Sequence, residues 1–210
     1  MDIVHPDIDR YLHDLAGPDD AVLREMELVA AERSFPIVGP QVGRLLALLA
    51  RITGARRVID LGSGFGYSAY WLARAVGPDG EVVLAEASVE RTREAEEFLS
   101  RGGLRRRVRI ETGDALDIIE RIGGAFDIVF NDIDKEQYPR VFDLACAALR
   151  PGGLLISDNM LWFGTVIEDA PEQPSTRGVQ QLTRRLFSSP AFETVLLPVR
   201  DGVTVSIYRG

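Results

Sequence analysis

The chain has 210 residues, of which 46% are hydrophobic and 27% are charged, an ordinary composition for a globular protein of this length. Its 24 basic and 32 acidic residues leave a net charge of −8, which argues against a general nucleic-acid-binding protein. The single cysteine, Cys146, excludes a disulfide framework. The sequence shows no secretory signal and no long apolar run. We therefore expect a cytoplasmic protein that does not enter a membrane.

The first 40 residues predict a helical cap on a single domain that spans residues 1–210. Apolar side chains recur at helical spacing, at Ile8, Tyr11, Leu12, Leu15, Val22, Leu23, Met26, Val29 and Ala30. This spacing predicts two amphipathic helices within residues 6–33. Their apolar faces have three possible uses that the sequence leaves open: they cover a site, they form a dimer interface, or they do both.

An α/β core is predicted over residues 55–210. Five short runs rich in Val, Ile and Leu lie at residues 57–61, 81–85, 107–111, 127–130 and 153–157. Such runs are typical of strands buried on both faces, and stretches with helical spacing separate them. The alternation predicts a mostly parallel sheet with helices on both faces. Two later β-rich runs, 194–199 and 203–208, flank the turn Arg200-Asp201-Gly202 and predict a C-terminal antiparallel hairpin.

A glycine-rich segment, VIDLGSGFGYS at residues 58–68, leaves the first strand and enters a helix. Asp60 stands two residues before Gly62, where its carboxylate would repel a pyrophosphate and hold an ammonium group. Glu86, at the end of the second strand, is placed to accept hydrogen bonds from the two hydroxyls of a ribose. S-adenosylmethionine (SAM) has an ammonium group, a ribose and no phosphate. The alternatives are an NAD site or a glycine turn that only closes the strand–helix corner.

Here the sequence resembles the class I SAM-dependent methyltransferases, from about Val38 to Tyr208. The resemblance implies a Rossmann-like fold of mostly parallel strands.

Acidic segments follow the fourth and fifth predicted strands, NDIDKEQY at residues 131–138 and SDNMLWFG at residues 157–164. Because parallel strands end at one edge of a sheet, these side chains are expected beside the glycine-rich segment. Asp132, Asp158 and Asn159 would offer three oxygen ligands to Mg²⁺. The alternative is local: Asp132 and Asp134 cap the next helix, and Asp158 forms a turn with its own backbone.

The two acidic segments are similar to motifs of the cation-dependent O-methyltransferases of the caffeoyl-CoA and catechol type. That resemblance implies that Asp132, Asp158 and Asn159 hold Mg²⁺, or another divalent cation such as Mn²⁺ or Ca²⁺, and that Lys135 is the catalytic base. It also implies a homodimer. The SAM-binding residues that it implies are Val38, Asp60, Gly62, Ser63, Ser68, Glu86, Asp114, Ala115 and Asp134.

The resulting prediction is methyl transfer from SAM to a hydroxyl of a catechol-like phenolic molecule. Lys135 is the only lysine among the 24 basic residues, and an arginine could not serve as the base because it stays protonated. A second possibility is methylation of a hydroxylated uridine in tRNA, for which the arginines between residues 101 and 109 would be the basic surface. A third is a SAM-binding protein without catalysis.

Overall fold

The computed structural model describes residues 3–17 and 20–210, so residues 1–2 and 18–19 of the predicted cap lie outside the described residues. The described chain forms one sheet of seven strands. They are β1 (Arg57–Leu61), β2 (Glu81–Glu86), β3 (Val108–Thr112), β4 (Phe126–Asn131), β5 (Leu149–Ser157), β6 (Phe192–Leu197) and β7 (Val203–Tyr208).

The strand order is β3-β2-β1-β4-β5-β7-β6. Strands β1 to β5 pair in parallel, whereas β7 is antiparallel to both β5 and β6. This confirms the predicted mostly parallel sheet with a C-terminal hairpin. Because the chain runs outward in opposite directions from β1 and β4, the carboxyl ends of these two central strands border the crevice where such sheets bind ligands.

Eight α-helices surround the sheet in the described part of the chain. They are α1 (Pro6–Ala16), α2 (Ala21–Glu32), α3 (Gly39–Ile52), α4 (Tyr67–Ala75), α5 (Val89–Arg101), α6 (Ala115–Ile122), α7 (Tyr138–Ala148) and α8 (Pro174–Ser188). The first two are the predicted cap helices, and α3 was not among the predicted elements. None of the described helices has both the length and the apolar character needed to cross a membrane.

The core consists of two apolar clusters, one on each face of the sheet. Helices α2, α3, α4 and α5 supply the first, around Leu46, Leu72 and Leu99, and α6, α7 and α8 supply the second, around Ile119, Val141 and Leu182. Helix α1 contributes no buried residue to either cluster. The cap is therefore divided: α2 is part of the core, whereas α1 lies on its surface.

Strand β3 departs from the prediction that all five parallel strands are buried on both faces. Only Val108 is buried in this strand, and Arg109 and Thr112 are exposed. The reason is its position at the edge of the sheet, which no pattern within residues 107–111 reveals. Strand β5 also begins earlier than predicted, at Leu149, which pairs with Phe126 of β4.

Candidate active site

The end of β1 places a buried carboxylate under the glycine-rich loop. Asp60 is fully buried, and its Oδ2 accepts hydrogen bonds from the hydroxyls of Ser63 (2.6 Å) and Ser68 (2.7 Å). Its Oδ1 has no hydrogen-bond partner in the described chain. Burial raises the pKa of Asp60 to about 7 in spite of the two serine hydrogen bonds. One oxygen of this carboxyl group is thus free for a donor from a ligand.

Gly62 brings the glycine-rich loop into contact with the end of β4. Its φ of +83° lies in the left-handed region, and a Cβ there would stand 2.7 Å from the carbonyl oxygen of Asp132. The amide of Asp132 in turn donates to the carbonyl of Leu61 (2.9 Å). The backbone therefore holds the predicted cofactor loop directly against the first predicted metal ligand.

Glu86, at the end of β2, is tied to the same loop. Its Oε2 accepts a hydrogen bond from the amide of Gly64 (2.9 Å), and its Oε1 accepts one from the amide of Ser88 (2.9 Å). Nη1 of Arg91 lies 3.4 Å from Oε1. The carboxylate is buried where a ribose was expected, although backbone donors and a half-exposed arginine already contact it.

The side chains of the other four predicted cofactor residues make no hydrogen bond to the glycine-rich loop within the described chain, although the amide of Gly113, next to Asp114, donates to the carbonyl of Glu86 (3.0 Å). Val38 is buried at the start of α3, and Asp134 is exposed just before a 3-10 turn, Lys135–Gln137. Asp114 caps α6 by accepting from the amides of Leu116 (2.8 Å) and Asp117 (3.2 Å), and Ala115 begins that helix. Asp114 therefore caps α6 whether or not it also contacts a cofactor.

Asp132 and Asp158 follow the ends of the neighbouring strands β4 and β5, as predicted. Burial, together with the negative charge of Asp132, raises the pKa of Asp158 to about 7. Burial also raises the pKa of Asp132, against the opposing effect of Lys135. Asp158 is buried and Asp132 is partly buried, and a bound cation would favour the ionised form of both carboxyl groups.

The donor set fits a hard divalent cation. Oδ1 of Asp158 is buried and has no hydrogen-bond partner among the described residues. Asn159 has a left-handed φ of 55°, and its Nδ2 lies 3.4 Å from Oδ2 of Asp201, so the amide nitrogen is engaged while the described contacts leave its oxygen available. No group of three or more described His, Cys, Asp or Glu side chains forms a metal site. An ion here would need the amide oxygen and further oxygens from water or substrate.

Lys135 lies beside this acidic pair with its side chain 10% exposed. Its Nζ donates to Oδ1 of Asp132 (2.7 Å) and to the carbonyl of Ile133 (3.2 Å). The rings of Tyr138 and Trp162 flank the ammonium group, with centroids 5.2 and 5.5 Å from Nζ. The predicted base therefore contacts a predicted metal ligand and is screened from water by two aromatic rings.

Helix α8 holds the 3-10 turn that carries Lys135. A Cβ on Gly178 would stand 2.0 Å from the carbonyl oxygen of Lys135, so helix and turn are in backbone contact. The hydroxyl of Ser175 lies 3.2 Å from the indole nitrogen of Trp162. No motif within α8 predicts this role, because the contact depends on how the helix packs.

A cavity of about 1220 Å³ opens between the helical cap and the acidic pair. Asp158 and Asn159 lie in its wall, together with Phe35 and Phe163, which belong to the two segments (residues 1–40 and 162–176) that the sequence suggests for acceptor specificity. The wall also contains two residues that the sequence did not assign to a site, Arg200 and Asp201. The last two belong to the segment predicted only as a hairpin turn. The one sequence signal for them is that two charged residues stand in that turn at the ligand-binding edge of the sheet.

Comparisons with known proteins find O-methyltransferases. A family model described as O-methyltransferase matches residues 14–208. Two relatives named catechol O-methyltransferase are 31% identical (Niastella koreensis, 96% of this chain and 96% of that protein) and 34% identical (Mycobacterium tuberculosis, 97% and 96%). The solved structure of an O-methyltransferase from Bacillus cereus in complex with SAH has a TM-score of 0.88 and 32% identity, and it covers 97% of each chain.

Proposed function

This chain belongs to the O-methyltransferase family, and from that premise we propose that it methylates one hydroxyl of a vicinal dihydroxy aromatic molecule, with a divalent metal ion at Asp132, Asp158 and Asn159. That it is a SAM-dependent O-methyltransferase follows from the family and its relatives. The catechol-like acceptor and the metal ion are the proposed part. The names of the two relatives support the acceptor, and the donor set supports the metal.

Asp60 and Glu86 account for binding of the methyl donor. The unpartnered Oδ1 of Asp60 would accept a hydrogen bond from the ammonium group of SAM, and the buried setting strengthens that ion pair. Glu86 would accept from the ribose hydroxyls, in place of its long contact with Arg91. Both roles use residues that the glycine-rich loop fixes in position.

Asp132, Asp158 and the amide oxygen of Asn159 would hold the metal ion, which when bound supplies Lewis-acid stabilisation of an acceptor oxyanion and orients both oxygens of the diol. The protein contributes the arrangement of these three groups. Asp132 is positioned by its amide hydrogen bond to Leu61, and Asp158 by its amide hydrogen bond to the carbonyl of Asn131 (3.1 Å).

Lys135 would accept the proton of the attacking hydroxyl in its neutral form. The oxygen–hydrogen bond breaks toward Nζ, the oxygen–carbon bond forms, and the carbon–sulfur bond of the sulfonium breaks. The position of Nζ, 2.7 Å from Oδ1 of Asp132, puts the proton acceptor directly beside the proposed metal site. Tyr138 and Trp162 limit the access of water to it.

One observation carries the proposal: Lys135 contacts Asp132 next to the unpartnered oxygen of Asp158, at the edge where the glycine-rich loop lies. The test is transfer of labelled methyl from SAM to simple catechols, a caffeoyl thioester and hypomodified tRNA, with Mg²⁺ or with EDTA. We expect turnover of the diols with Mg²⁺, its loss in EDTA, and SAM affinity within a few-fold in both. Full turnover in EDTA, or in an Asp158→Asn variant, would contradict the metal site.

The tRNA alternative finds little support in the arginine cluster. Most of its guanidinium groups are engaged within the protein: Arg101 with Glu25, Arg105 with Glu96, Arg107 with the carbonyl of Ala73, and Arg109 with Glu111. The three pairs with glutamates reduce the positive charge available to phosphates, whereas the bond of Arg107 to a carbonyl only fixes its position. Methylation of tRNA without methylation of any diol would reverse this preference.

A further inference from the structure

Arg200 occupies an unusual backbone position in the turn between β6 and β7. Its φ is 50°, in the left-handed region that disfavours residues with a Cβ. Gly202, two residues later, also has a positive φ, of +85°. The backbone at Arg200 is therefore held in a conformation that is unfavourable for a residue with a Cβ.

The guanidinium group of Arg200 reaches from this turn to the cavity beside the acidic pair. Its Nη1 donates to the carbonyl of Ile37 (2.8 Å), and the group lies over Gly39, where a Cβ would stand 2.7 Å from Nη1. Among the described residues this is its one hydrogen bond. Because Arg200 also lines the cavity with Asp158 and Asn159, the other N–H groups of the guanidinium are available to a molecule bound there.

Arg200 interacts electrostatically with three carboxyl groups near the acidic pair. Asp158, Asp201 and Arg200 line this end of the cavity, and the pair of Asp132 and Lys135 lies next to them. Burial raises the pKa of each carboxyl group, and Arg200 opposes part of that rise, so its charge acts on all three. A divalent cation at Asp132 and Asp158 would offset their negative charges, so that an anionic group on the acceptor would be repelled less strongly. Lys135 is hydrogen-bonded to Asp132, so of the two cations beside the acidic pair Arg200 is the one that lines the cavity.

We propose that Arg200 is a specificity-determining residue that selects acceptors carrying a carboxylate in addition to the vicinal diol. The inference rests on the proposed function, since it concerns the acceptor of the same reaction. A guanidinium group can bind a carboxylate through two parallel N–H bonds, which a neutral substituent cannot reproduce. The diol lies at Asp158 and Asn159, and the carboxylate points to the hairpin turn.

The experiment compares 3,4-dihydroxybenzoate with 3,4-dihydroxybenzamide, which share the diol and differ in charge. We measure kcat and KM with SAM and Mg²⁺, and acceptor binding by calorimetry in the presence of SAH and Mg²⁺. For the native protein we expect kcat/KM for the benzoate to exceed that for the benzamide by about tenfold or more. Arg200→Gln should remove this preference by raising KM and Kd for the benzoate, and the values for the benzamide should change by less than about threefold.

Two further variants separate recognition from folding. Arg200→Gly suits the left-handed backbone and should lose the preference as Arg200→Gln does. Arg209→Gln changes an arginine of the same hairpin that pairs with Glu193 outside the cavity, and it should keep the native preference. The two diols differ in acidity, but this difference is the same for every variant. It therefore cancels when the ratio of kcat/KM for the two acceptors is compared between variants.

The outcomes distinguish the inference from the proposed function. The inference would be overturned if Arg200→Gln left the ratio of kcat/KM for the two acceptors unchanged, or if it lowered kcat/KM equally for both. Arg200 would then serve only to hold the backbone at Ile37 through its hydrogen bond. If the native protein turned over no diol at all, the proposed function would fail. Calorimetry of benzoate and benzamide binding in the presence of SAH and Mg²⁺ would then still show whether Arg200 recognises a carboxylate.

Discussion

Lys135 is the residue at which the proposed chemistry is most directly tested. Lys135→Arg keeps the positive charge beside Asp132 but cannot accept a proton at neutral pH. We expect kcat to fall by about 10²–10⁴-fold, the usual worth of a positioned proton acceptor, while SAM affinity stays within a few-fold. Steady-state kinetics and calorimetry measure the two effects. Near-native kcat at pH 7 would show that Lys135 only pairs with the acid.

Asp60 predicts a pH dependence of donor binding. Its raised pKa, about 7, means that the carboxyl group is largely protonated below pH 7 in the free protein, whereas an ammonium group requires it ionised. SAM affinity should therefore weaken by up to about tenfold per pH unit as the pH falls from 7, and level off above it. Calorimetry between pH 5.5 and 8.5 should also detect proton release on binding below pH 7.

The control for this effect is Asp158→Asn, which removes the other carboxyl group with a pKa of about 7. That variant should keep the pH dependence of SAM binding, and Asp60→Asn should lose it. A dissociation constant that is flat across this range in the native protein would exclude Asp60 as the group that binds the ammonium.

At the scale of elements, α8 positions the turn that carries Lys135. Gly178→Ala would place a Cβ 2.0 Å from the carbonyl of Lys135, so the helix and the turn must separate. A displacement of about 1 Å at the base can cost about 10²-fold in kcat, and we expect a loss of that order with SAM affinity unchanged. Gln181→Ala, on the exposed face of the same helix, is the matched control. Equal kcat in the two variants would show that the contact does not position Lys135.

At the scale of the whole molecule, the homodimer stays a prediction, and α1 is the element that favours it. Ile8, Tyr11 and Leu15 on this helix are 51%, 60% and 63% exposed, an apolar face that no described part of the chain covers. Light scattering should give about twice the mass of one chain, and Leu15→Glu should lower it. Phe187→Glu, on α8, should leave the mass unchanged. A monomeric native protein would contradict the prediction.

Much of the fold follows from local patterns in the sequence. Short apolar runs alternating with helical spacing determine the order of strands and helices, because the two kinds of backbone require different periodicities. The parallel topology then brings Asp132 and Asp158 to one edge of the sheet, so the sequence alone locates the acidic pair and Asp60. Even so, α3 is absent from the predicted elements, although its apolar residues, such as Leu45, Leu46 and Leu49, are at helical spacing.

Other features were decided only by the packing of segments that are distant in sequence. The exposure of β3 depends on its place at the sheet edge, and the backbone contact between Gly178 and Lys135 depends on how α8 packs. The raised pKa of Asp60 depends on how much chain buries it. The cavity wall joins Phe35 to Arg200 across more than 160 residues. Local periodicity acts over a few residues, whereas burial and electrostatics act through space. This is why the sequence located Asp60 and the acidic pair at one edge of the sheet but did not reveal the wall of the cavity beside them.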